Sequence, residues 1–468
     1  MPLSADRAAR RTWLIAALAA ACFGITVWAF YPGVMTYDAK YVYMDMLKGF
    51  RGDWQSPVMT SLWKWIDPIA PGSGSMFLVI AGLYWLGFAL VALRLARQSL
   101  LLPLLLLLLA LMPPHIMYVA IIWRDVLFAG LWLVAAALCF IVAERSADSA
   151  HSRASGNPES QSQMSLGPRF RGDERVWRAL RLIMQAVALG LIAFGVLLRP
   201  NALAAAPVLA AYALWPAQFR WKRVAILFVP AALGFFGLMN VVYYGVLDAT
   251  RQNLLHTLFV FDLGGTSNFA KENLFPGTWT EDESRRIKDH CYVSPEWDVY
   301  WRFDPCQFVM LKIEKEQHLF GTPVLPKAWA AAIAKHPIAY LEHRTAFFWN
   351  LLSHDNLTLW VWNIEDISKP VLDGRASFAA MAAIDSALKP TPLQRIGTWL
   401  LLCLGVCAFA WRRRETPEGA FALAVAGSGA LYVLTYFAIG LSPDFRYGYW
   451  AMIGSIAGAV TLATRRAP

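Results

Sequence analysis

Long apolar stretches separated by short polar ones run through most of the chain, and they are long enough, or nearly so, to cross a bilayer as helices. They fall near 13–31, 76–93, 99–118, 126–143, 180–198, 201–217, 224–243, 396–411, 419–440 and 446–463. The third is interrupted by Pro113-Pro114, and the sixth is short and carries Pro207. The pattern predicts an all-α polytopic membrane protein with about ten transmembrane helices. From Ser56 onward Val58, Met59, Leu62, Trp63, Trp65 and Ile66 recur at helical spacing. That spacing predicts a short helix in the membrane–water interface, where tryptophan favours the headgroup level. A second amphipathic stretch, 338–352, is expected to rest on the membrane surface.

Composition agrees with this class: 57% of residues are hydrophobic, 16% are charged, and the mean hydropathy is +0.43. A soluble domain of this size has no use for so much apolar surface. Arg7, Arg10 and Arg11 precede the first run as in a signal peptide, but the run is long enough to span and lacks a small-residue cleavage site. It reads as a retained first helix. Threading the spans from a cytoplasmic N-terminus puts 20 Arg and Lys against 8 acids inside, and 22 against 24 outside. The inner bases crowd the helix ends, at Arg94 and Arg97, Arg220 to Arg223, and Arg412 to Arg414. This excess of inner positive charge sets both termini in the cytoplasm and fits a bacterial inner membrane.

Three regions follow. Residues 1–243 form an N-terminal transmembrane region, with a first outer loop at 32–74 and an inner insert at 144–179. The insert is polar, punctuated by Gly and Pro, and expected to be disordered. Residues 244–395 form a second, helix-rich outer segment, and 396–468 hold the last spans. Cys291 and Cys306 both lie in the outer segment, on the side where disulfides form, and are expected to bridge. Cys22, Cys139, Cys403 and Cys407 sit in apolar runs as packing residues.

Polar residues at the ends of the spans gather on the outer side. Arg124 and Asp125 open the fourth span, Arg199 and Asn201 join the fifth to the sixth, and Asp444 and Arg446 open the last. His343, Arg344, His354 and Asp355 belong to the surface segment. Charges near membrane depth are costly and mark function, the competing role being to anchor helix ends. Arg124, Arg199, Arg344 and Arg446 offer forked donors for phosphate oxygens. Asp38, the first charge after the first span, can take a proton from an acceptor hydroxyl or help hold a divalent cation. Tyr37 and Tyr41, with Asn201 and Asp444, are candidates for contact with substrate. No Gly-rich phosphate loop and no metal-ligand Cys/His spacing is present, and no nucleic-acid partner is expected.

The stretches YPGVMTYDAK, GDWQSPVMT, WRDVLFA, LLRPNAL, KHPIAYLEHR and PDFRYGYW resemble the GT-C superfamily of integral-membrane glycosyltransferases. More narrowly, they are similar to the bacterial branch near the dolichyl-phosphate-mannose-protein mannosyltransferases. The resemblance implies a catalytic acid in the first outer loop and a polyprenyl-phosphate-linked sugar as donor. It makes Asp38 the leading base and Asp125 the second acid, with a glycan, lipid or protein as acceptor. Related sequences often carry a His-Pro pair where this chain has Gln55 before Ser56-Pro57, so one titratable group is missing. Two other readings compete. An O-antigen polymerase or ligase would rely on outer Arg and His residues rather than on the first-loop acid. A flippase or transporter of lipid-linked glycans would want charges in mid-helix, which are nearly absent here.

Overall fold

The computed structural model describes residues 2–154, 168–292, 296–301, 305–353 and 376–464, and among these the chain is all-α. Two isolated bridges, Val34 with Ile121 and Gly52 with Thr250, are its extended pairings. In chain order the helices are α1 (Pro2–Phe30), α2 (Tyr37–Lys48), α3 (Pro57–Ile66), α4 (Gly74–Ala96), α5 (Leu101–Ala110), α6 (Pro113–Val119), α7 (Arg124–Ala154), α8 (Pro168–Leu198), α9 (Ala206–Leu214) and α10 (Trp221–Asn240). They continue as α11 (Leu255–Ala270), α12 (Glu281–Asp289), α13 (Phe308–Met310), α14 (Val324–Lys335), α15 (Pro337–Ser353), α16 (Ala376–Leu388), α17 (Ile396–Trp411), α18 (Pro417–Ile439) and α19 (Tyr449–Leu462).

Among the described residues six helices are long and apolar enough to cross a membrane, or seven if α5 and α6 count as one bent span. The protein is an all-α polytopic membrane protein. Fewer than the ten expected spans are of full length, for local reasons. Pro113 starts a new helix, so the third span bends by 61° between α5 and α6. The sixth shrinks to a 3-10 turn, Pro200–Ala204, followed by the nine-residue α9. The last, α19, has 14 residues and lies buried in the bundle. Crossing lipid takes about 20 residues. The span at the start of α7 is almost wholly enclosed by its neighbours, whereas no residue of α10 is buried.

The polar insert behaves differently from its composition. Its flanks continue α7 to Ala154 and begin α8 at Pro168, so both are helical. A helix already nucleated in a span propagates at little cost, and the Ala, Glu and Arg that follow are good helix formers. Residues 155–167 lie outside the described residues, as do His354 and Asp355.

The amphipathic stretches form the helices expected of them. In α3 Ser56 caps the first turn, accepting from Met59 N at 3.2 Å, with Val58, Met59 and Trp63 buried and Trp65 exposed. In α15 one face, Ala339, His343, Arg344, Phe347 and Leu351, is buried, while Ile338, Leu341 and Trp349 are exposed. Helices α11, α12, α14 and α15 pack on one another beside α17 and α18.

Candidate active site

The first loop is held at both ends by backbone pairing. Tyr31-Pro32-Gly33 turns the chain out of α1, with Gly33 at φ 85°, where a Cβ would also come within 2.9 Å of Phe77 Cβ. Val34 N then donates to Ala120 O (2.8 Å) and Ile122 N donates to Val34 O (2.9 Å). Trp123 Nε1 donates to Thr36 Oγ1 at 2.7 Å, and Thr36 precedes the first residue of α2. The start of α2 therefore lies beside the start of α7. Further along, Thr250 N donates to Arg51 O (2.8 Å) and Asp53 N to Thr250 O (3.1 Å). Asp53 closes this second stitch by accepting from Gln252 N (2.7 Å) and Tyr244 Oη (2.8 Å). Its carboxylate is occupied by structure.

Between the stitches stands a group of three acids and three arginines. Arg446, in the 3-10 turn Phe445–Gly448 that leads into α19, donates through Nη1 to Asp38 Oδ2 at 2.5 Å. Its Nε lies 2.9 Å from Asp444 Oδ2, and its backbone N donates to Asp444 Oδ1 at 3.0 Å. The guanidinium rests over the Trp123 and Tyr447 rings, at 4.9 and 5.4 Å. Deeper in the bundle Arg199 Nε meets Asp125 Oδ1 at 2.9 Å, and Arg199 also donates to Tyr436 Oη at 3.2 Å. Arg124 Nη1 donates to Trp54 O at 3.4 Å. Asp38 is the most accessible of the three acids, its side chain 36% exposed against 27% for Asp444 and 1% for Asp125.

Electrostatics separate the two acids that share Arg446. Burial raises Asp38, but Arg446, Arg124 and Arg199 outweigh it and hold its carboxyl below the ordinary 3.8. Burial lifts Asp444 above that value, Asp125 and Asp38 adding to the rise against the pull of Arg446. Asp38 is thus ionised at neutral pH, and Asp444 is the more basic of the two.

Asp38, Arg124, Asp125, Arg199, Asp444 and Arg446 converge at one end of the bundle. Asp38 is not a helix cap: α2 begins at Tyr37 after Thr36, and the Asp38 carboxylate faces Arg446. Asn201 sits in the turn that follows Arg199. Tyr37 and Tyr41 are exposed and share a hydroxyl contact of 2.8 Å.

Arg344 is a correction. It is fully buried in a different cluster, with Nη2 2.5 Å from Asp262 Oδ1 and Nη1 donating to Gly440 O at 2.8 Å. No surface is left on it for a donor phosphate. His343 Nε2 is 3.1 Å from the same Asp262 oxygen, its Nδ1 is 3.0 Å from Tyr292 Oη, and Trp329 Nε1 donates to Asp262 Oδ2 at 2.7 Å. Sequence reasoning missed Asp262, although it is the single acid in the mostly apolar LHTLFVFDLGG and a buried charge requires a partner. Cys291 and Cys306 are joined by a disulfide. No group of three or more His, Cys, Asp or Glu placed to hold a metal ion occurs among the described residues.

No family model matches the chain, and no curated protein matches it. Among solved structures it is similar to the archaeal oligosaccharyltransferase AglB from Archaeoglobus fulgidus, in complex with an inhibitory peptide and a dolichol-phosphate. The identity is 11%, the TM-score 0.36, and the likeness covers 96% of this chain. The chain spans about half the length of that protein, 50% of which is covered.

Proposed function

We propose that the chain is a membrane glycosyltransferase of the GT-C kind. It moves a sugar from a polyprenyl-phosphate donor to a glycan, lipid or protein acceptor on the periplasmic face of the inner membrane. The observation that carries this reading is an accessible carboxylate, Asp38, set among the guanidinium groups of Arg446, Arg124 and Arg199 at one end of the bundle. Forked cations of this kind bind a phosphate leaving group, and an adjacent carboxylate takes the acceptor proton.

Asp38 at rest is too acidic for an efficient base. A donor phosphate that draws on Arg446 weakens the pair and returns basicity to Asp38. Asp125, tied to Arg199, orients that arginine. A second assignment within the same reaction is favoured by the upward shift of Asp444, which makes it the base in place of Asp38.

Asp38→Asn is expected to insert and fold normally but to lose roughly two to four orders of magnitude in transfer rate. The readout is sugar transfer in membranes from a strain lacking the gene, whose altered glycan also identifies the substrate. Near wild-type transfer by Asp38→Asn, with transfer abolished in Asp444→Asn, moves the base to Asp444. Unchanged glycans in the deletion strain reject the transferase reading itself.

A further inference from the structure

Three tryptophans from two distant segments meet beside the ionic group. Trp54 comes from the first loop; Trp297 and Trp301 come from the turn at Trp297–Tyr300 and the residue after it. Trp297 and Trp301 stack with centroids 5.7 Å apart and planes within 7°. Trp54 leans against both, at 5.7 and 6.5 Å. The cluster is fixed on two sides. Trp54 O accepts from Arg124, and Trp297 N donates to Leu441 O at 2.9 Å, in the segment that runs on to Asp444 and Arg446. Trp297 is buried, whereas Trp301 is 43% exposed.

We propose that this cluster is a carbohydrate-stacking subsite that receives a pyranose ring on the exposed indole of Trp301. The inference rests on the transferase reading. A pyranose has an apolar C–H face and a rim of hydroxyls, so it binds where a rigid aromatic plane adjoins charged groups. Trp301 supplies the plane, Trp297 and Trp54 hold it without loss of rotamer freedom on binding, and Arg124 is tied to the cluster through Trp54 O. The competing occupant is the lipid headgroup layer, which tryptophans also seek. The strongly exposed tryptophans Trp28, Trp65 and Trp349 make no ring stacking contact among the described residues. Here Trp297 and Trp301 stack, Trp54 packs tilted against both, and the backbones of Trp54 and Trp297 bond to Arg124 and Leu441 beside the Asp38 group.

The test reads binding without turnover. Saturation-transfer NMR on the full protein in detergent, with methyl glycosides of glucose, galactose, mannose and N-acetylglucosamine, should show transfer to at least one of them. Trp301→Ala should weaken that glycoside roughly tenfold, Trp301→Phe should largely keep it, and Trp65→Ala should leave it intact. In Trp301→Cys a membrane-impermeant maleimide should label position 301, more slowly with the bound glycoside present. No transfer to any glycoside, undiminished transfer in Trp301→Ala, or labelling by a lipid-soluble maleimide alone overturns the subsite. Sugar binding that depends on Trp301 in a protein whose deletion changes no glycan would keep the subsite and reject the transferase reading. In transfer assays, a rise in KM confined to donor or to acceptor in Trp301→Ala assigns the ring to that substrate.

Discussion

Arg344 illustrates how burial decides what a charged side chain does. An arginine with no exposed surface and a carboxylate 2.5 Å away serves the fold, and removing it leaves the buried charge of Asp262 with only the His343 and Trp329 contacts. Arg344→Met is therefore expected to destabilise the protein by about 3–5 kcal/mol, read as a large drop in thermal midpoint in detergent. A wild-type midpoint with weakened donor binding would restore Arg344 to the phosphate site. The neighbouring His343 adds a pH dependence. Burial pushes its pKa below 6.5 despite the opposing carboxylate of Asp262. Below 6.5 the unfolded chain takes up a proton that the folded chain refuses, so stability is full above 6.5 and falls as pH drops from there. His256 is shifted the same way by burial. Thermal midpoints between pH 7.5 and 5.5 should decline, and His343→Gln should remove part of the decline. Asp38 contributes with the same sign but at lower pH, its share fading only below 3.8.

At the scale of elements, pairing between segments matters more than the helices themselves. Helix existence was legible because apolarity and period are local: α1, α3, α4, α7, α8, α10, α15 and α18 follow from their own residues. The lengths of α9 and α19 were not, since a helix enclosed by protein need not match the bilayer. The gathering of arginines and acids at one end was also legible, from where they stand at span ends. Their partners were not: Asp38 and Arg446 are 408 residues apart, and no local pattern joins them. The same holds for Arg344, whose charge suggested phosphate until Asp262 was found opposite it. Cys291 and Cys306 bridge across a separation of 15 residues, just after α12 and just before α13. Under the chain-entropy model a loop of that length contributes roughly 3 kcal/mol. Both thiols should resist maleimide until reductant is added, and reduction should lower the thermal midpoint; free labelling without reductant would mean that no bridge forms in the membrane protein.

For the whole molecule the testable quantity is sidedness. The ionic group gathers the C-terminal ends of α1, α8 and α18 and the N-terminal ends of α7 and α19. Arg94 meets Glu418 at 3.5 Å at the opposite ends of α4 and α18, and Arg413 donates to Leu462 O there. On the positive-inside rule we propose that this second end faces the cytoplasm. Alkaline phosphatase fused after Gly72 or Glu281 should be active, and the same reporter after Ala217 silent. Activity at Ala217 would turn the site toward the cytoplasm and reject a periplasmic acceptor.

The distance along the chain between Asp38 and Arg446 also bears on how the protein is made. Ribosomes deliver α1 and the first loop early, and the stitches to residues 120–122 and 250–252 follow as those segments emerge. Arg446 emerges 408 residues after Asp38, so the nascent protein carries Asp38 without that partner while the segments between them are made. Pairing of Asp38 with Arg446 therefore follows insertion of the earlier spans rather than nucleating it. A message cut short after α18 should yield a chain that inserts and keeps most of its spans, yet lacks the arginine that sets the chemistry of its first loop.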